Sequence, residues 1–156
     1  MLGGSQENNK RASTQNVAGI VGLSKALVLA QKKLELEMDL QTKLRNRLLT
    51  EIPKIIDGVH INGHLEKRLP NNAHFSFEKV DGESLLMSLD MEGFAASMGS
   101  ACSAGSMSIS HVLKAIDLDE DLARGSLRVT IGRWTTSEHI DLLLEKLPGI
   151  IKSLRI

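Results

Sequence analysis

The chain has 156 residues, 42% hydrophobic and 24% charged, which suits a packed domain and excludes a disordered polymer. Lys plus Arg equals Asp plus Glu at 19 each, so a net charge of zero removes the electrostatic case for nucleic acid or an anionic membrane surface. One cysteine cannot form an internal disulfide, there is no charged-then-apolar leader, and no run approaches the roughly 20 apolar residues that span a bilayer; the expected setting is the reducing cytoplasm.

Residues 1–16 show neither a helical nor a strand period, and read as a polar arm. From Val17 a long amphipathic helix is predicted, with Ile20, Leu23, Leu27, Ala30, Leu34 and Met38 at steps of three and four. Leu40, Leu44 and Leu48 continue a neighbouring stripe, and Pro53 is expected to stop the helix. Val59 to Asn62 reads as a short strand. Ala73 to Val80 alternates Phe75 and Phe77 against His74 and Ser76, and reads as another. Asp81-Gly82 is a turn, Glu83 to Met91 a helix, and Gly93 to Met98 a brief strand. Ser110 is a plausible N-cap for a helix through Ile116. Ser126 to Gly132 is a strand with Leu127, Val129 and Ile131 on one face and Arg128 and Thr130 on the other. Thr135-Thr136-Ser137-Glu138 is a capping-box candidate for a last helix that buries Ile140, Leu143, Leu144, Leu147, Ile150 and Ile151. The pattern is α+β: a small sheet covered by helices, with a long N-terminal connecting helix. Residues 1–16 and 17–156 are the expected divisions. The arm and residues 98–108 are expected to be the least ordered.

Cys102 lies in Gly99-Ser100-Ala101-Cys102-Ser103-Ala104-Gly105-Ser106. Structural cysteines sit more often among bulky apolar neighbours; a thiol among small residues and glycines is suited to moving and reacting. The five histidines have no metal-ligand spacing, and the carboxylates form no acid/base pair. His111 reads as a first-turn helix residue.

Three collinear segments together resemble the cysteine desulfurases, fold-type I enzymes of the class V aminotransferase type. Gly3-Gly4-Ser5-Gln6-Glu7 with Arg11-Ala12-Ser13-Thr14-Gln15-Asn16 resembles their GGGQE and R-x-G-T-x-N segment. Gly99 to Ser106 with Ser110-His111-Val112-Leu113 resembles the mobile cysteine loop of their group I branch. Ala123-Arg124-Gly125-Ser126-Leu127-Arg128 with Gly132-Arg133-Trp134-Thr135-Thr136 resembles a segment near their C-terminus. Ser5 and Ser13 stand where the family usually has glycine, and Met98 where threonine is common.

The resemblance implies that L-cysteine becomes L-alanine with pyridoxal 5'-phosphate as electron sink, the sulfur remaining as a persulfide for iron–sulfur cluster assembly or tRNA thiolation. It assigns the nucleophile to Cys102, the grip on the substrate carboxylate to Arg128, and a contact from Thr14 to the cofactor phosphate of the opposite subunit in a homodimer. A guanidinium fork matches a carboxylate with two parallel hydrogen bonds. A sulfur-acceptor protein such as an iron–sulfur scaffold is the implied partner. The family's cofactor lysine follows a histidine, whereas the histidines here are followed by Asn, Leu, Phe, Val and Ile. The chain therefore reads as a C-terminal portion of such an enzyme, with residues 1–16 a remnant of the large cofactor-binding domain, and no turnover is expected from it alone. The competing expectations are a selenocysteine lyase-like relative and a non-catalytic association or sulfur-acceptor module. The first often lacks a long cysteine loop; the second would use the helix after Val17 for association.

Overall fold

The computed structural model describes residues 3–98 and 109–155. Cys102, with the rest of residues 99–108, lies outside the described residues, as does the expected mobility of that loop. Compact packing divides the chain between Leu36 and Glu37.

The first unit corrects the reading of residues 1–16 as an unstructured arm. β1 (Ser5–Gln6) and β2 (Arg11–Ala12) pair antiparallel, Ser5 opposite Ala12 and Gln6 opposite Arg11. The intervening turn uses Glu7, Asn8 and Asn9 at φ of 51°, 57° and 68°. Asn tolerates the left-handed region better than most residues, so two asparagines make this turn accessible. Arg11 Nε donates to Glu7 Oε1 across it at 2.7 Å. No apolar alternation announces this hairpin, because polar local bonds hold it. Asn16 Oδ1 accepts from the Gly19 backbone N–H at 2.9 Å and caps the start of α1 (Val17–Ile55). Ile20, Leu23, Leu27 and Leu34, the predicted apolar stripe, are exposed.

In the second unit, α1 turns Leu44, Leu48 and Ile52 into a core shared with the sheet. Pro53 does not stop the helix. It sits inside the last turn, and the Ile56 N–H still donates to the Ile52 carbonyl at 3.0 Å. Pro53 gives up its own N–H bond and crowds the carbonyl four residues before it, but so late in the helix little of it remains beyond Pro53 to be disrupted. The chain reverses at Gly58, whose φ of +58° suits glycine.

Three strands follow: β3 (Val59–Ile61), β4 (Asn72–Phe77) and β5 (Ser126–Thr130). They form one antiparallel sheet in the order β3-β4-β5. The period of two puts Ala73, Phe75 and Phe77 on one face, with no exposure, against fully buried Leu127. Helices α2 (Gly82–Met91) and α5 (Ser137–Leu154) add Leu85, Leu89, Ile140, Leu143, Leu147 and Ile151 to the same cluster. Burying each such side chain contributes about 1.5–3 kcal/mol. Gly125 enters β5 so close to β4 that a side chain there would overlap the Phe77 carbonyl oxygen and lie 2.8 Å from that of Val80.

Several element ends differ from the sequence-based expectation. The expected strand Gly93 to Met98 contracts to one bridge, Ser97 opposite Arg128, with Arg128 N–H donating to the Ser97 carbonyl at 2.6 Å. Asp81 caps α2 by accepting from the Ser84 N–H. The helix after Ser110 is α3 (His111–Ala115), and the Ser110 hydroxyl makes no capping bond to it. A five-residue helix, α4 (Glu120–Arg124), was not legible, since it is too short for a period; Asp119 caps it. The final capping arrangement falls one residue later than expected: Thr136 is the N-cap, and His139 Nδ1 takes the Glu role by accepting from the Thr136 N–H at 3.2 Å. No helix among the described residues is long and apolar enough to cross a membrane.

Candidate functional site

The face of the sheet opposite Phe75 and Leu127 carries a row of polar side chains. His74 is the register partner of Arg128 across β4 and β5, and Ser97 bridges to the other side of Arg128. The Asn62 N–H donates to the His74 carbonyl at 2.9 Å, so the row runs Asn62, His74, Arg128, Ser97. Side-chain bonds join it at both ends. Asn62 Nδ2 lies 2.7 Å from His74 Nδ1 and donates to Ser76 Oγ at 2.9 Å. Arg128 Nη2 donates to Ser97 Oγ at 2.7 Å.

A cavity of about 260 Å³ opens beside Asn62, His74 and Arg128 of this row. His74, Arg128, Asn62 and Asn72 line it together with Ser110, Val112 and Leu113. Arg68 and Lys67 also line it, and among the described residues no aspartate or glutamate does. An enclosure walled by cations without acids favours an anion. Arg68 is committed to structure: its Nε donates to the His64 carbonyl at 2.7 Å and its Nη2 to the Asn62 carbonyl at 2.8 Å. Buried Arg45 reaches the same loop from α1, donating to the Leu69 carbonyl at 2.9 Å. These two arginines fasten residues 62–72 as the cavity wall. Burial and the neighbouring Arg45 charge hold the Arg68 pKa below its ordinary value.

His74 has its pKa lowered to about 4, by burial first and by the charges of Arg128 and Arg68 next. Its ring is therefore neutral at physiological pH.

Of the residues singled out from the sequence, Arg128 occupies this cavity. Of the residues that flank the segment containing Cys102, Ser97 is in hydrogen-bond contact with Arg128 and Ser110 lines the same cavity. Thr14 is exposed in the first unit, after Ser13 at φ 72°. His74, Asn62 and Arg68 were not legible as site residues, because only the pairing of distant strands brings them beside Arg128. Strand alternation had placed His74 opposite Phe75 and Phe77, and that was the available signal. Arg133 forms an ion pair with Glu37. Among the described residues no group of three His, Cys, Asp or Glu side chains could hold a metal ion.

Residues 4–143 match the family model described as aminotransferase class-V. The chain is 50% identical over 153 residues to the cysteine desulfurase IscS of Dictyoglomus turgidum, covering 98% of this chain and 39% of that protein. It is 45% identical over 155 residues to cysteine desulfurase IscS 1 of Archaeoglobus fulgidus, covering 99% of this chain and 40% of that one. Among solved structures, a NifS-like protein superposes with a TM-score of 0.81 at 32% identity over 99% of this chain and 38% of its own. The NifS-like protein of Rickettsia africae gives 0.82 at 26% identity, over 97% and 39%. The chain thus spans 39–40% of the length of these curated relatives.

Proposed function

This chain belongs to the aminotransferase class-V family, and from that premise we propose that it is the C-terminal portion of a cysteine desulfurase. The family is pyridoxal-phosphate-dependent in general. The observation that carries the reading is the position of Arg128, in contact with Ser97 and sharing a cavity with Ser110, the two roots of the Cys102 segment. A reaction that holds an amino acid by its carboxylate and presents a thiol to its sulfur calls for a thiol segment whose two ends lie near the carboxylate's anchor.

In this reading Arg128 grips the carboxylate of L-cysteine through its planar fork. Cys102 attacks the substrate sulfur as a thiolate. The new S–S bond forms as the substrate C–S bond breaks, leaving a persulfide on Cys102 and L-alanine as product. The overall exchange, thiol plus L-cysteine to persulfide plus L-alanine, balances without an external oxidant. In this reading Thr14, an exposed residue, would donate its hydroxyl to an oxygen of the cofactor phosphate. When bound, pyridoxal phosphate supplies an electron sink. The lysine that secures it belongs to polypeptide outside these residues. Residues 1–16 are then the end of the large domain, and Thr14 serves the opposite subunit of a homodimer. The persulfide passes to an acceptor such as an iron–sulfur scaffold in the cytoplasm.

The test is mass spectrometry of the longer protein that contains this chain, after exposure to L-cysteine. One additional sulfur atom on Cys102, with alanine formed, is the expected result; an unmodified Cys102 during turnover rejects the assignment.

A further inference from the structure

The neutral ring of His74 has a fixed orientation that substrate-carboxylate recognition by Arg128 does not itself require. The Asn62 amide presents two N–H bonds, and its two neighbours, His74 Nδ1 at 2.7 Å and Ser76 Oγ at 2.9 Å, accept both. Turning the amide over would orphan both donors, whereas the observed orientation orphans a single acceptor, Asn62 Oδ1, in a side chain only 6% exposed. With Nδ1 accepting, the ring proton sits on Nε2. Among the described residues nothing bonds Nε2, and the ring lines the cavity with Arg128.

We propose that His74 is a second carboxylate-binding residue, whose Nε2–H, set by Asn62 as a positioning residue, donates to the same anion that Arg128 grips. The proposal deepens the desulfurase reading and rests on it for the identity of the anion. An uncharged donor beside the guanidinium adds direction without raising the positive charge of the cavity, where Arg68 and Lys67 are already present. The depressed pKa of His74 agrees with this, because a cationic ring would have no Nδ1 lone pair to offer Asn62.

Two measurements test it. In this chain, ¹⁵N NMR should show His74 in the Nε2–H tautomer, with a resonance that moves on adding L-alanine and stays put with L-alaninamide, which lacks the carboxylate. Asn62→Asp should switch the proton to Nδ1 and abolish the movement. In the longer protein, His74→Phe keeps the ring shape without a donor and should raise KM for L-cysteine about tenfold, while His74→Gln, which keeps a donor, should stay within about threefold. An Nδ1–H tautomer in the unaltered chain, no movement with L-alanine, or an unchanged KM in the phenylalanine variant overturns the proposal. If the longer protein does not desulfurate cysteine, the functional reading fails, and the L-alanine titration alone decides the carboxylate site.

Discussion

His74 and Arg128 face each other as register partners on adjacent antiparallel strands and line one cavity, which no acidic side chain among the described residues lines. Their sequence separation of more than fifty residues is closed by the β4–β5 ladder, which also pairs Phe75 with Leu127 in the core on the opposite face. Slipping the ladder by one residue would turn Arg128 into the core and Leu127 into the cavity, so the hydrophobic pattern and the site share a register.

Replacing Arg128 with lysine keeps the charge and removes the fork. The expected loss in kcat/KM of the longer protein for L-cysteine is roughly 10- to 100-fold, the worth of one charge-assisted hydrogen bond. Steady-state kinetics checks it, and an unchanged value would reassign Arg128 to a structural part with Ser97.

Cys102→Ser should reduce sulfur transfer to background, since a serine hydroxyl is not ionised at neutral pH and cannot carry a persulfide. Counting sulfide released by reductant after exposure to L-cysteine is the direct measurement. Transfer at the unmodified rate would remove Cys102 from the chemistry.

The low pKa of His74 makes stability depend on pH in a defined direction. The unfolded histidine takes up its proton near 6.5, the folded one near 4, so between these values the unfolded state holds more protons. Stability is complete above about pH 6.5 and declines as pH falls toward 4, by up to about 3 kcal/mol from this group. Urea titrations at pH 7 and pH 5 should show the decline, and His74→Gln should flatten it. A decline equally steep in that variant would assign it to other groups.

Gly125→Ala should destabilise the second unit by roughly 1–3 kcal/mol, because the added carbon meets the Phe77 carbonyl oxygen and backbone must shift. Thermal unfolding measures it. Gly132→Ala, where nothing lies near the added carbon, is the control and should lower the melting temperature far less.

The amino-acid sequence alone determined which segments become the main helices and strands of the second unit. The spacing of Leu44 and Leu48, and the alternation around Phe75 and Phe77, are local periodicities that burial of one face enforces, although Leu40 of the same expected stripe is exposed. It also picked out Arg128 by its place on a strand and within a motif. The hairpin at Ser5 to Ala12 escaped, because two left-handed asparagines and an ion pair hold it rather than an apolar period. Only the tertiary structure decided that Asn62, His74, Arg128 and Ser97 form a single row. Hydrogen-bonded strand pairing joins residues that no sequence period relates, and the protonation of His74 follows from the burial and charge that this pairing creates.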